Sequence, residues 1–314
     1  MEHSNDNNAR DRVPGIWLVL VCVFVISACQ TVPSTLPEDL KVRVLVSGES
    51  ASEKPIIRAL KSQFGQRMKT HRVGKYRKTN RRLVRALSKD KNIPVVTVGN
   101  RATMLAAGIK SKPVYVSQAY DPKLIKKMGA QFRGVSIVPD ARSVFWILRS
   151  LDKTTKIIGI ITRPGMKQTI DYIKKSAKAD NLKIIHREAR SDRGFLYSVD
   201  RISSQVDAYW LFPDDRILSS VAIKTFMMKT VKQGKQVIAF TPALLKLGAL
   251  VSVEPDESAI AGMVNRMIIL DHYRANKENT NLQYVKKMRI RISKLNAERL
   301  GISIPVNLQR FQYE

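Results

Sequence analysis

Cysteine is scarce in this chain of 314 residues. The two cysteines, Cys22 and Cys29, both lie within the first thirty residues. Everything after Cys29 therefore lacks the partners for an internal disulfide and leaves no thiol exposed in an oxidising compartment. Cys29, at the end of an N-terminal segment, is instead a candidate for a modification site.

The motifs of common enzyme classes are also missing. The sequence contains no Gly-x-Ser-x-Gly elbow and no Gly-x-x-x-x-Gly-Lys phosphate loop. Four scattered histidines show no metal-ligand spacing: His3, His71, His186 and His272. We therefore predict no catalytic residues, no cofactor and no metal site, and an enzyme is the least favoured interpretation.

The N-terminus has the pattern of a secretory signal. Arg10 and Arg12 precede an apolar run from Ile16 to Ile26. This run is shorter than the about 20 residues of a membrane-spanning helix, but it has the length of a signal peptide's apolar region. It ends in Ile26-Ser27-Ala28-Cys29, which resembles the lipobox of bacterial lipoproteins. The alternative is an uncleaved anchor helix in which Cys29 is incidental.

The lipobox resemblance implies a location in the cell envelope. In that family the peptide is cut before the cysteine, which carries acyl chains such as palmitate and holds the protein to a membrane. Residues 1–28 are then a signal peptide, Cys29 is lipidated, and the protein lies on the periplasmic side of the cell envelope. Gln30 follows the cysteine, which in a Gram-negative bacterium implies the outer membrane. Export also removes nucleic acid from the expected partners.

Acidic residues are few, and the charge is uneven. The chain has 55 Lys and Arg against 26 Asp and Glu, a formal net charge of +29. Asp90 is the only acid between Arg67 and Lys91, and Glu298 is the only acid between Lys286 and Arg299. Clusters of this kind indicate attraction to polyanions. An anionic envelope polymer is therefore a candidate partner, and a solvated basic surface with no dedicated partner is the alternative.

The first basic cluster has the pattern of a helix. Thr79 is the expected cap. Apolar and basic positions alternate at helical spacing, so that one face would turn to the core and the other to solvent. The core-facing residues would be Leu83, Val84 and Leu87, and the solvent-facing ones Arg81, Arg82, Arg85 and Lys89.

Short Val/Ile-rich runs alternate with amphipathic segments from Lys41 onward. Such runs predict strands buried on both faces of a parallel sheet, with helices as crossovers. The number of strand candidates predicts two α/β lobes. The expected parts are a lipidated tether (29–39), a first lobe (40–150 with part of 255–280), a second lobe (151–254) and a basic C-terminal segment that closes the fold (281–314).

Polar residues follow many of the predicted strands. Ligands bind beyond the carboxyl ends of strands in open α/β sheets, so these residues are candidates for ligand binding. They are Asn100, Tyr120, Asp121, Ser136, Thr162, Arg163, Asp214, Asp215 and Thr241.

Several stretches resemble one family, the ABC-transporter substrate-binding lipoproteins of the tryptophan/tyrosine-binding type. They are Pro94–Gly99, Tyr120–Pro122, Arg133–Ser136, Val206–Asp215, Gly248–Val253 and Asn296–Pro305. The resemblance implies a type I periplasmic binding fold, two lobes whose mostly parallel sheets are flanked by helices. It also implies an amino-acid-like ligand held between the lobes by the candidate residues, and an ABC permease as partner.

The chain departs from the family within the expected cleft. Asn100 stands where members carry a small hydroxyl residue, and Arg163-Pro164 where they tend to have Asn-Pro. Asp215 replaces an asparagine, and Thr241 replaces an acidic residue. These departures keep other interpretations open: an anchored accessory or structural lipoprotein that binds anionic polymers and whose cleft has degenerated, or a sensor whose closed form signals to a partner.

Overall fold

The computed structural model describes residues 33, 35–48, 50, 53–120, 122–273 and 282–313. The predicted signal peptide, Cys29 and most of the tether lie outside these residues, as does Asp121. No helix in the described ranges is long and apolar enough to cross a bilayer.

The strands lie in two sheets. In chain order they are β1 (Val42–Val46), β2 (Met68–Arg72), β3 (Val95–Val98), β4 (Val114–Ala119), β5 (Phe132–Ser136), β6 (Ile157–Thr162), β7 (Lys183–Glu188), β8 (Ala208–Trp210), β9 (Gln236–Ala239), β10 (Val251–Pro255), β11 (Leu282–Gln283), β12 (Met288–Ser293) and β13 (Gln312–Tyr313). The first sheet has the order β11-β5-β4-β3-β1-β2 and the second the order β13-β12-β10-β9-β8-β6-β7.

Helices connect and cover the strands. They are α1 (Glu53–Phe64), α2 (Arg77–Lys89), α3 (Asn100–Ala106), α4 (Pro122–Met128), α5 (Ala141–Leu151), α6 (Lys167–Ala179), α7 (Asp192–Ile202), α8 (Ser220–Lys232), α9 (Glu257–His272), α10 (Lys294–Arg299) and α11 (Val306–Gln309). The strand pairings are parallel except for β10 with β12. The predicted two-lobed α/β fold is confirmed.

Each sheet is buried on both faces, as the continuous apolar strands predict. One core of the first lobe joins β1 to α1 and α9 through Val44, Leu60 and Val264. The other faces α2, α3 and α4. The second sheet is likewise packed between two apolar clusters.

Several helices begin with a side-chain cap just beyond a strand. Asp140 accepts a hydrogen bond from the Ser143 amide at the start of α5, and Ser219 accepts one from Ala222 at the start of α8. Such caps satisfy amides that have no partner inside the helix. They also fix the points where the chain turns back from the carboxyl edge of each sheet.

The predicted cap of α2 is wrong. The helix begins at Arg77, with Tyr76 at the cap position and no side-chain hydrogen bond there. Asn80 explains the early start, because its side-chain amide both accepts from the Gly74 amide and donates to the Gly74 carbonyl, each at 3.0 Å. These bonds hold the loop before α2 and place Thr79 inside the first turn.

The α5 helix belongs to the second lobe, whereas the sequence assigned it to the first. Val144 and Leu148 lie in one cluster with Ile158 of β6 and Ile173 of α6. The chain therefore crosses between lobes directly after β5. The sequence could not show this, because an amphipathic helix reveals that it has an apolar face but not which sheet covers it.

Two strands with charged residues escaped prediction. The β2 strand reads Met-Lys-Thr-His-Arg and pairs only with β1, at the edge of the first sheet. The β12 strand alternates apolar residues with Arg289 and Arg291 and runs antiparallel to β10. Both were part of the basic stretches, whose charge hid the strand pattern.

Gly99 joins β3 to α3 and should tolerate no side chain. Its backbone has φ 84° and ψ 160°, and a Cβ there would lie 2.0 Å from Glu53 Oε1 and 2.5 Å from Ser47 Oγ. We predict that Gly99→Ala lowers the free energy of unfolding by about 3 kcal/mol, from backbone strain and steric overlap together. Urea denaturation measures the change.

Gly129→Ala is the matched control. Gly129 also has a positive φ, 57°, but nothing lies within 4 Å of a Cβ built on it. Gly129→Ala should therefore lower the free energy of unfolding only by the strain of a left-handed residue, about 1 kcal/mol. Equal losses for the two variants would contradict the close approach at Gly99.

Candidate functional site

Three crossing segments join the lobes. The chain passes from β5 to α5, from β10 to α9 and from β11 to β12. The segments are bonded to one another: the Asp140 amide donates to the Val285 carbonyl and the Asp256 amide to the Lys287 carbonyl, each at 3.0 Å. They form one hinge, and beside it the carboxyl ends of both sheets face each other.

A cavity of about 480 Å³ lies between those carboxyl ends. Its volume is that of a pocket for a small organic molecule. The lining residues come from loops after β3, β4, β6, β8 and β9 and from α4, and they include Asn100, Gln118, Tyr120, Arg163, Asp214, Asp215, Arg216, Leu218 and Phe240.

The first lobe supplies an apolar wall. Leu124, Ile125 and Met128 of α4 line the cavity together with Val116 and Phe132 of the sheet beneath. Met128 and Phe132 are also buried members of the lobe's core. The wall is therefore backed by packed side chains and offers a fixed apolar surface.

Asp214 is the centre of the polar side. Its carboxylate forms a salt bridge with Arg163 at 2.7 Å, and the Asp214 side chain is only 2% exposed. Tyr120 donates its hydroxyl to the same oxygen, Oδ2, at 3.2 Å. The Arg163 guanidinium also lies over the Tyr120 ring, 5.6 Å from its centroid. We call these three residues the cleft triad.

The cleft triad connects the two lobes. Tyr120 follows β4 of the first sheet, whereas Arg163 and Asp214 follow β6 and β8 of the second. Asp214 is held from behind, because its Oδ1 accepts from the Arg216 amide and its carbonyl accepts from the Ile217 and Leu218 amides. A fixed carboxylate in the second lobe thus receives a hydroxyl from the first.

The predicted ligand residues fall into five groups. Asn100, Tyr120, Arg163, Asp214 and Asp215 line the main cavity. Ser136 lines a neighbouring cavity of about 490 Å³, which shares Tyr120, and Thr241 lines a third of about 410 Å³ beside the hinge. Thr162 lines none of the three cavities, and Asp121 is outside the described residues.

Thr162 and Ser136 have structural partners. Thr162 is fully buried, and its hydroxyl bonds to His186 Nε2 at 2.8 Å and to the Arg163 carbonyl. Burial lowers the pKa of His186, and Lys174 acts in the same direction, although Glu188 opposes them. Ser136 Oγ accepts from the Val138 amide at 2.9 Å. These contacts shape the loops behind the cleft.

Sequence reasoning missed the apolar wall and Gln118. The apolar residues Leu124, Ile125 and Met128 have helical spacing, which is equally typical of a core helix. Gln118 lies inside β4, two residues before Tyr120, and lines both the main cavity and the hinge cavity. Its long polar side chain in the buried strand Val-Tyr-Val-Ser-Gln-Ala was the available signal.

Charged residues also surround the hinge cavity. Arg289 reaches Glu254 at 3.6 Å and Glu257 at 2.6 Å, and Arg291 reaches Glu254 at 3.3 Å. Burial raises the pKa of Glu254, while the two arginines act to lower it. This network ties β12 to the crossing between β10 and α9. No cluster of His, Cys, Asp or Glu in the described part of the chain has the arrangement of a metal site.

A family model described as ABC transporter substrate binding protein matches residues 39–312. The chain belongs to this family. No curated protein sequence matches it. As a substrate-binding protein of an ABC transporter, it acts outside the cytoplasm as the component that binds the small-molecule substrate.

Solved structures show the same fold. The ABC domain from Streptococcus pneumonia in complex with L-Trp has a TM-score of 0.59 and 21% identity, over 87% of this chain and 99% of that one. A conserved domain protein from Vibrio cholerae has a TM-score of 0.56 and 18% identity, over 87% of this chain and 98% of that one. A substrate-binding protein with adhesive properties from Clostridium difficile has a TM-score of 0.62 and 13% identity, over 88% of this chain and 99% of that one.

Tyr120→Phe should loosen the contact between the lobes. The substitution removes a hydrogen bond to a charged acceptor, worth about 1.5–3 kcal/mol, so the population of open forms should rise about tenfold or more. Spin labels at exposed Lys78 and Lys224 measure this in a form lacking residues 1–29, which has no cysteine of its own. The distance distribution should shift to longer values.

Tyr115→Phe is the control for this measurement. The Tyr115 hydroxyl also donates to a carboxylate, that of Asp271 at 2.9 Å, but both residues belong to the first lobe. This variant should leave the distribution between the labels unchanged. If the two variants give the same distribution, the cleft triad does not hold the lobes together.

Proposed function

We propose that this substrate-binding protein captures a small polar or aromatic molecule, about the size of an amino acid, between its lobes and presents it to an ABC permease. The cavity carries the proposal: it has a volume of about 480 Å³ and is lined by an apolar wall and by amide and charged groups. The L-Trp complex of the Streptococcus pneumonia domain supports an aromatic ligand. The proposed ligand-binding residues are the predicted ones that line this cavity, namely Asn100, Tyr120, Arg163, Asp214 and Asp215.

Asn100→Trp tests the site. Asn100 is an exposed residue at the start of α3 that lines the cavity, so an indole there should fill part of it and weaken ligand binding at least tenfold. A ligand found by thermal-shift screening of metabolites raises the melting temperature, because it binds only the folded state. Its affinity for each variant is then measured by calorimetry.

Met104→Trp is the matched control, on the same helix. Met104 is 60% exposed and lines a separate groove instead of the cavity, so its substitution should leave affinity unchanged. If no compound in the screen stabilises the protein, or if Asn100→Trp binds as tightly as the original chain, solute capture in this cleft is refuted.

We also propose that the protein is held to the membrane by lipid on Cys29. The lipobox-like sequence Ile26–Cys29 supports this. Cys29→Ser should abolish labelling by radioactive palmitate and move the protein to the aqueous phase in detergent partition. Cys22→Ser, seven positions earlier in the apolar run, should change neither result. Equal labelling of both variants would exclude the anchor.

A basic surface supports a second candidate function, binding of an anionic envelope polymer. The basic strip consists of exposed residues on and around α2: Lys75, Arg77, Lys78, Arg81, Arg82, Arg85 and Lys89. The helix is 13 residues long, so the strip extends about 20 Å. A groove of about 410 Å³ at its start is lined by Lys75, Arg77, Arg81 and Arg101 without a carboxylate. Gln30, which favours the outer membrane, fits this role.

Charge-reversal variants distinguish polymer binding by the basic strip from a general effect of the protein's net charge. Arg81→Glu with Arg85→Glu should lower the affinity for immobilised lipopolysaccharide about tenfold or more and flatten its dependence on salt. The control, Lys175→Glu with Lys178→Glu, makes the same change in charge at exposed positions of α6 and should have a small effect. Equal losses would mean that only overall charge matters.

A further inference from the structure

The cleft contains a carboxylate that already has its cation. Four charged residues line the cavity: Arg163, Asp214, Asp215 and Arg216. Asp215 and Arg216 are exposed, whereas Arg163 and Asp214 are buried. The two buried charges are 2.7 Å apart. Removing one partner of a buried ion pair leaves the charge of the other uncompensated.

The face of the Tyr120 ring is also covered by the Arg163 cation. An aromatic face beside a carboxylate is a favourable place for a ligand ammonium group. Here the Arg163 guanidinium lies over that face, 5.6 Å from the ring centroid, while the hydroxyl donates to Asp214. The Asp214 carboxylate and the Tyr120 ring, each of which could attract a ligand cation, are therefore both in contact with Arg163 of the protein itself.

Asp215 and Arg216 are exposed neighbours of opposite charge and add no net charge to the lining, and the other lining residues are neutral. Asn100 and Gln118, two residues with side-chain amides, belong to this lining. Leu124, Ile125 and Met128 of α4 add the apolar wall. This lining offers hydrogen bonds to an uncharged polar group and a surface for an apolar body, and a ligand cation that approached Asp214 would meet the Arg163 guanidinium already paired with it.

We infer that the cleft selects a ligand without an ammonium group, and that Arg163 is the residue that determines this specificity by occupying Asp214. The inference rests on the proposed solute-binding function and narrows its ligand class to non-cationic molecules with an apolar or aromatic body. Removing the guanidinium leaves Asp214 without its internal cation, so a cation from outside should take the vacant position.

Two aromatic probes of the same length test this. 3-Phenylpropylamine carries an ammonium group and 3-phenylpropanamide a neutral amide, and their affinities are measured by ligand-observed NMR at millimolar concentration. The original chain should bind the amide at least tenfold more tightly than the amine. Equal affinities, or tighter binding of the amine, would overturn the inference, and this comparison needs no variant.

Arg163→Gln should reverse the preference. The amine should bind this variant at least tenfold more tightly than it binds the original chain, and Arg163→Gln with Asp214→Asn should lose the gain. Arg190→Gln removes the same charge from an exposed position outside the cavity and should change nothing. Circular dichroism and the melting temperature confirm that each variant is folded.

The outcomes separate this inference from the proposed function. If neither probe nor any metabolite binds the original chain, solute capture fails, and Arg163→Gln alone decides the inference. Amine binding to that variant then supports the masking of Asp214, and its absence refutes it. If the original chain binds a metabolite that carries an ammonium group and loses it in Asp214→Asn, the proposed function holds and the inference fails.

Discussion

Two backbone hydrogen bonds, Asp140 to Val285 and Asp256 to Lys287, hold the three crossing segments together as one hinge. The rest of the architecture depends on this constraint. Parallel strands direct their carboxyl ends to one edge of a sheet, and the hinge turns the two edges toward each other. Residues distant in sequence, such as Asn100 and Phe240, thereby line one cavity, and motion about the hinge changes its width.

The cleft triad combines an internal ion pair with a contact between the lobes. In this chain Arg163 supplies, from within the protein, the positive charge that a buried carboxylate requires. The same three side chains connect the lobes, because the Tyr120 hydroxyl reaches across to Asp214. If the proposed role of Arg163 in specificity holds, ligand specificity and lobe closure depend on one cluster, and a change in either should affect the other.

The binding cleft and the basic strip belong to different surfaces of the first lobe. The cavity opens where the first sheet faces the second, whereas α2 lies at the outer edge, beside β2. The cleft and the strip come together at α3, where Asn100 lines the cavity and Arg101 lines the groove at the start of the strip. The charged edge strand has a further consequence: Lys69 and Arg72 on β2 discourage pairing with another sheet.

Much of this protein was determined by local pattern. The Val/Ile runs specify buried strands, the repeated strand–helix order specifies parallel sheets, and polar residues after strands specify where a ligand site forms, since these depend on periodicity and chain direction alone. Only the tertiary structure decided that α5 covers the second sheet, that α4 forms the apolar wall, and that Arg163 meets Asp214 although 51 positions separate them. Each of these is a pairing across space, and a single sequence records what a residue can bind but not which partner the fold brings to it.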